Sequence, residues 1–415
     1  MPPKLAPIIV IGGGAAGFFA AINCAEQQKE RPLILLEKSR HLLSKVKVSG
    51  GGRCNVTHAC FDVHELVKNY PRGATELIAP FHRFNPTHTI EWFEAKGVKL
   101  KTEPDGRMFP VTNSSQTIVN CLTDAAQKLD IAIYTQCGIT KLEPPANERA
   151  NWQVTTSDNV VLQAYKVLIA SGSSTQMWNL LESLGHHIEP PLPSLFTFNL
   201  SHNNLLHDLA GVTVPDVSIK VAKTKLSATG NLLVTHWGIS GPAVLRLSAW
   251  GAKVLHDLDY RFEVIINWVN PLQTTEVQVQ LTTYKSDFSR QQVNARALFN
   301  LPMRLWKRIA ESAQIPETTR WADVSKKQMQ QVVLQLTQTT LQATGKSTNK
   351  EEFVTCGGVR LSEVNFKTME SKLLPRLYFA GEVLNIDAIT GGFNFQAAWT
   401  CGYIAGNNMA QNNPQ

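Results

Sequence analysis

Three glycines near the start of the chain constrain its fold more than any other feature. Residues 8–11, Ile-Ile-Val-Ile, form a short apolar run rich in β-branched side chains, the composition of a buried parallel strand. Gly12-x-Gly14-x-x-Gly17 follows at once, then an alanine-rich helical segment over 15–27, then a second apolar run over 33–36 that ends at Glu37. Each glycine has a physical task. Gly12 permits a tight turn, Gly14 leaves room for a pyrophosphate to approach the backbone, and Gly17 lets helix and strand pack closely. Ala15 and Ala16 lie in the first helical turn, where unpaired N–H groups favour phosphate. Glu37 is spaced to accept hydrogen bonds from ribose hydroxyls. Strand, helix, strand and acid in this order predict a Rossmann-type dinucleotide-binding unit.

The next signal is Lys47-Val-Ser49-Gly50-Gly51-Gly52-Arg53-Cys54-Asn55. Three consecutive glycines suit neither a helix nor a strand interior, because they lose too much backbone freedom on ordering. They describe a loop wrapped closely around a ligand, with a cation, a thiol and an amide beside it. Residues 87–96 and 115–129 read as helices, and 131–134 as a strand. Segment 103–110 reads as a turn leading to an exposed Arg-x-Phe-Pro element, and 152–156 with 160–170 as a hairpin. The apolar run to Ala170 ends in Ser171-Gly172, where a doubly wound sheet returns to its ligand.

A proline cluster at 190–193 predicts a linker and a domain boundary. Beyond it, strand-like segments over 196–200, 217–221, 231–235 and 262–268 suggest a small β-barrel or sandwich. His236 and Ser240-Gly-Pro242 lie inside this region. Helical periodicity returns over 297–312 and 325–337. Between 285 and 327 stand nine cations and four anions, so this stretch carries +5 of the chain's net +7. A solvated helix face or nucleic-acid contact fits this stretch equally, with Arg304, Lys307 and Arg308 as the candidate contacts (to RNA, if the resemblance below holds) and Trp306 and Trp321 among the cations. The chain then regains α/β character. A strand ends at Glu382, and Gly391-Gly392 opens a final helix through Phe393 and Asn394, a second anion-friendly terminus.

The expected fold is therefore α/β: a Rossmann-type dinucleotide-binding domain (1–193 and 354–415), a β-barrel region (194–272 and 341–353) and a small basic helical region (273–340), which the family resemblance given below makes an FAD-binding domain with an inserted β-barrel domain and a small helical insert. No apolar run approaches the roughly 20 residues of a membrane span. The N-terminal segment lacks the h-region of a signal peptide. Seven cysteines form neither CxxC pairs nor a paired framework, which suits reduced thiols in a cytoplasm, and no metal site is expected. No membrane attachment or stable protein partner is expected.

A glycine fingerprint with Glu37 and a C-terminal Phe-Ala-Gly-Glu382 resembles the glutathione-reductase-type two-segment FAD fold. Ser49-Gly-Gly-Gly-Arg-Cys-Asn55, Gly106-Arg-Met-Phe-Pro110, Thr235-His-Trp-Gly-Ile-Ser-Gly-Pro242 and Thr390-Gly-Gly-Phe-Asn394 are similar to the signatures of the YhiN/BaiN-type flavoproteins. Ser171 in Ala-Ser-Gly-Ser, Phe393 and Cys356 depart from that family's usual residues. The resemblance implies FAD as cofactor, with Lys38, Lys47, Ile139 and Asp387 completing its contacts. It also implies reduction of an activated carbon–carbon double bond.

The leading expectation is conversion of uridine to dihydrouridine in large-subunit (23S) ribosomal RNA, with NADH or NADPH visiting the flavin transiently because only one fingerprint is present. A small-molecule ene-reductase of steroid or dienone type is the alternative. A non-catalytic redox sensor is a third reading, for which a complete flavin site has no evident use. Cys54, following the glycine loop, is the expected proton donor, and His236 is its rival.

Overall fold

The computed structural model describes residues 5–202, 205–347 and 354–411. The chain divides into two compact units, Met1–Leu192 with Lys350–Gln415, and Pro193–Asn349. Residues 348–353, over which the barrel segment was expected to end, lie outside the described residues.

In the first unit, the strands Ile8–Ile11, Leu33–Leu36, Ala132–Tyr134, Lys166–Ile169 and Leu377–Phe379 pair in parallel. The order across the sheet is 377–379, 166–169, 8–11, 33–36, 132–134, and the short strands Val364–Asn365 and Glu370–Ser371 extend it on the 377–379 side. Ile8 to Ile11 are buried throughout, as expected for a parallel strand covered on both faces. The helix Ala15–Gln27 packs against the last helix, Phe393–Ala410, which brings the two ends of the sequence into one layer. A Cβ on Gly406 would lie 2.5 Å from the carbonyl oxygen of Ala20, so glycine sets this close helix approach. Buried Lys166 donates to the carbonyls of Asn408, Met409 and Gln411, tying down the C-terminal end of that helix.

Two local expectations change here. The proline cluster is not a linker: Ile188–Ser194 is a strand of a two-stranded ribbon with Val354–Val359. Such a ribbon has edges that tolerate residues unable to donate to the ladder. The expected hairpin ends early, because Trp152–Thr156 pairs with Val161–Ala164 and the chain then leaves to build Lys166–Ile169 into the main sheet.

The second unit is a closed six-stranded barrel. Its order is Thr197–Leu200, Gly238–Ser240, Ser227–Val234, Thr213–Val221, Phe262–Asn267 and Thr339–Ser347. Helices Thr274–Asp287, Met303–Ser312 and Lys326–Gln338 contribute Leu281, Leu305, Trp306 and Leu336 to the same core as Val264, Ile266 and Leu341 of the barrel. Trp306 and Trp321 are core residues, each 1% exposed, so neither offers a stacking surface among the cations. No helix among the described residues is long and apolar enough to cross a membrane.

Candidate cofactor site

The three fingerprint glycines meet different surroundings. Gly12 has φ +118° and its Cβ would fall 2.3 Å from the carbonyl oxygen of Ala170; a Cβ on Gly17 would fall 1.9 Å from that of Gly12. Gly14 is the opposite case, because its Cβ would meet nothing within 4 Å. Two glycines are thus demanded by packing, and the third keeps open a cradle that a side chain would fill. The first hydrogen bond of the following helix runs from Phe18 N–H to Gly14 O, 3.0 Å, so the N–H groups of Ala15, Ala16 and Gly17 precede the helical ladder. The N-cap has no capping side chain and the first turn no acid, so these donors face the cradle unopposed.

Glu37 does more than the spacing suggested. Its Oε2 accepts from Gly13 N–H at 2.7 Å and its Oε1 from Ser39 N–H at 2.8 Å. It braces the glycine loop itself while the remaining lone pairs stay available for a ribose. Lys38 and Lys47 are exposed, and Ile139 is buried with its carbonyl accepting from Gln176.

The second glycine loop turns left-handed. Gly50, Gly51 and Gly52 have φ of +59°, +67° and +81°, so the helical span Ser44–Gly52 is broken after Val48. Cβ atoms on Gly51 and Gly52 would meet nothing within 4 Å. Ser49 donates to Val46 O, and Arg53 pairs with Glu103 at 2.6 Å while lying 4.0 Å over the Phe109 ring. Phe109 is fully buried, so the Arg-x-Phe-Pro element expected at the surface exposes only Arg107. Asn55, with its amide turned to satisfy its neighbours, donates to Thr57 O and Met108 O and accepts from Gly392 N at 2.9 Å. That bond ties the loop to the start of the last helix.

Glu382 gathers a third group. Its carboxylate pairs with Lys45 and accepts from Thr355 N–H, and Gly172 lies beside it. Ser171 Oγ and Thr355 Oγ1 are buried there without a partner. Gly391 and Gly392 both hold positive φ ahead of Phe393, whose buried ring stacks on His58 at 4.6 Å. Two expected ligand contacts are internal braces instead. Asp387 is fully buried and held in a bidentate pair by Arg72, and Asn394 closes its own loop through the Ala388 N–H and carbonyl.

Cys54 is not placed as a proton donor. It is fully buried, and burial pushes its thiol up to about 12, so no part of it is left for a substrate to touch. His236 lies in the other unit, exposed on the turn between Ser227–Val234 and Gly238–Ser240. His58 was not singled out by sequence. Its Nε2 faces the Asp105 carbonyl at 3.1 Å, its Nδ1 is buried without a partner, and burial holds its imidazole below the usual histidine value. The signal available was its place three residues after Asn55.

Of the candidate RNA contacts, Lys307 pairs with Glu317 at 2.7 Å and Arg308 with Glu311 at 2.8 Å and Asp208 at 3.6 Å. Arg304 alone among the three is without an ion-pair partner among the described residues. The positive charge of this helix is therefore largely neutralised locally.

Known proteins resemble this chain over nearly its whole length. The family model for the HI0933-like protein Rossmann domain matches residues 6–408. A 3-dehydro-bile acid delta(4,6)-reductase of Clostridium scindens is 27% identical over 97% of this chain and 98% of its own. A ribosomal RNA dihydrouridine synthase of Escherichia coli is 28% identical over 97% of each chain. Among solved structures, a 3-ketosteroid delta1-dehydrogenase from Sterolibacterium denitrificans in complex with 1,4-androstadiene-3,17-dione shares the fold. Its TM-score is 0.53 at 11% identity, covering 98% of this chain and 99% of that one.

Proposed function

We propose that this chain, which belongs to the HI0933-like Rossmann family, is an FAD-dependent reductase that converts uridine to dihydrouridine in large-subunit ribosomal RNA. The observation that carries the cofactor assignment is the Gly14 cradle, open where its two sister glycines are closed by packing. The donors of Ala15, Ala16 and Gly17 would hold the pyrophosphate, and Glu37 the adenosine ribose. Glu382, with the unpartnered hydroxyls of Ser171 and Thr355, offers hydrogen-bonding capacity suited to the polyhydroxylic ribityl chain. Gly391 and Gly392 precede the first turn of the last helix, whose N–H groups favour negative charge and would suit an electron-rich part of the bound cofactor. When bound and reduced, the flavin supplies a hydride to an electron-poor ring carbon.

The protein's remaining task is to deliver a proton to the neighbouring carbon. Cys54 is sealed from substrate and does not serve as that acid in this reading. NADH or NADPH is the proposed reductant, visiting transiently, and the proposed location is the cytoplasm, where ribosomal RNA is made.

The RNA reading is supported by the dihydrouridine synthase relative and by a net charge of +7. A second reading, reduction of a steroid-like dienone, is favoured by the bile-acid reductase relative of nearly equal identity. Mass-spectrometric mapping of ribosomal RNA from cells with and without the gene separates them. The proposal expects a dihydrouridine that disappears with the gene; an unchanged map favours the small-molecule reading.

A further inference from the structure

We propose that single-stranded RNA is received on the first unit, by a cationic surface over residues 38–47 joined by Tyr134, and not by the basic helix Met303–Ser312. The inference rests on the RNA reading above and names the surface that serves it. Between Glu37 and Asp62 the chain carries Lys38, Arg40, Lys45, Lys47 and Arg53 and not one acid. Of these, Arg53 is taken by Glu103 and Lys45 by Glu382. Lys38, Arg40 and Lys47 are exposed, with no ion-pair partner among the described residues; the family resemblance gives Lys38 and Lys47 to FAD, so Arg40 is the cation that carries the test.

The acids that approach from neighbouring segments are already engaged. Glu37 accepts from two backbone N–H groups, and Asp158, reached through the Ser157–Gly138 bond beside Lys38, accepts from Thr156. Among the described residues neither acid forms an ion pair with Lys38, Arg40 or Lys47, whereas Lys307 and Arg308 are each held by an acid alongside.

Topology places this surface at the right edge. Strands ending at Ile11, Leu36 and Tyr134 run parallel and adjacent, so the loops after them emerge together at the carboxyl edge, where open α/β sheets bind ligands. The loop is ordered and not a loose tether. Leu43 N–H donates to Gly13 O, Gln136 N–H to Ser39 O, and Ser39 Oγ to His41 O. Tyr134, 55% exposed, ends the outermost of these strands, next in register to Leu36. Exposed cations on a hydrogen-bonded loop beside an exposed aromatic ring are what a single strand requires: cations meet the phosphates, and the ring stacks on a base.

The test uses the full-length, FAD-loaded protein and an unmodified, uridine-containing ribosomal RNA fragment. Affinity is measured across a salt series for Arg40→Glu, Arg40→Lys, Tyr134→Ala and an Arg304/Lys307/Arg308 triple neutralisation, with FAD content and melting temperature recorded for each. Arg40→Glu is expected to weaken RNA binding about tenfold and to reduce the log–log salt slope by about 0.7. Arg40→Lys should restore both. Tyr134→Ala should weaken binding with the slope unchanged, and the triple variant should remain close to wild type. RNA affinity untouched by Arg40→Glu, or lost only in the triple variant, overturns the inference. So does loss of FAD together with RNA binding on Arg40→Glu, which makes this cation a cofactor group. A yellow wild type that binds no RNA refutes the RNA reading itself and is told apart because no variant then needs to be compared.

Discussion

The fingerprint loop at 12–17 and the basic helix Met303–Ser312 were both conspicuous in composition, and the structure treats them differently. In the loop, residue type and role coincide: glycine is required at 12 and 17 because a Cβ has no space, and at 14 it leaves space that nothing in the chain uses. In the helix, the cations that drew attention are mostly spent on nearby acids. Steric demands of a backbone turn are local and travel with the sequence. The net field of a charge depends on which acids the fold brings beside it, and exposed pairs of this kind contribute little to stability or to attraction.

Four variants sharpen or break this contrast. The largest effect is expected for Gly17→Ala, which drives a methyl into the Gly12 carbonyl and should lower stability by about 3 kcal/mol, read from urea unfolding. A neutral result there means that the loop and helix are not packed as described. Gly14→Val should yield colourless protein that melts like the FAD-stripped wild type, since the side chain enters only the open cradle. If Gly14→Val still purifies with full FAD, the cradle is not the pyrophosphate site.

Neutralising Arg304, Lys307 and Arg308 together is expected to change the salt slope of RNA binding by less than about 0.7, one phosphate contact. A drop equivalent to three contacts restores that helix as the RNA surface and reverses the comparison. The smallest effect belongs to Cys54→Ala. Removing a buried sulfur should cost roughly 1 kcal/mol of stability and leave the reduction rate unchanged. In the wild type, with its thiol pushed up to about 12, Cys54 should also resist alkylation at pH 8 until the protein unfolds. A dead but folded, FAD-loaded Cys54→Ala returns the proton-donor role to this thiol.

How much was legible follows the same line. The Rossmann strands could be read because short β-branched runs adjoin glycines with fixed tasks. The start of the helix at Met303 was placed six residues early, since Phe299 and Asn300 adopt left-handed backbone and Pro302 marks the true start. Barrel strand Gly238–Ser240 was missed because three residues are too few to show a two-residue alternation. Partner choice was the least visible. Nothing local tells that Asp387 belongs to Arg72, 315 residues earlier, or that Asn55 will hold the start of the last helix. The orphaned hydroxyls of Ser171 and Thr355 were equally hidden, because burial without a partner is a property of the assembled site.

The central claim is that one flavin site on the first unit reduces a pyrimidine in RNA. Its most direct test is an anaerobic single turnover. The FAD-loaded protein is reduced photochemically and mixed separately with unmodified ribosomal RNA fragment and with a steroid dienone, following flavin absorbance and the products by mass spectrometry. The account predicts that RNA restores the oxidised flavin spectrum and gains one dihydrouridine per FAD, while the dienone leaves the flavin reduced. Reoxidation by the dienone alone, with the RNA unchanged, would contradict it.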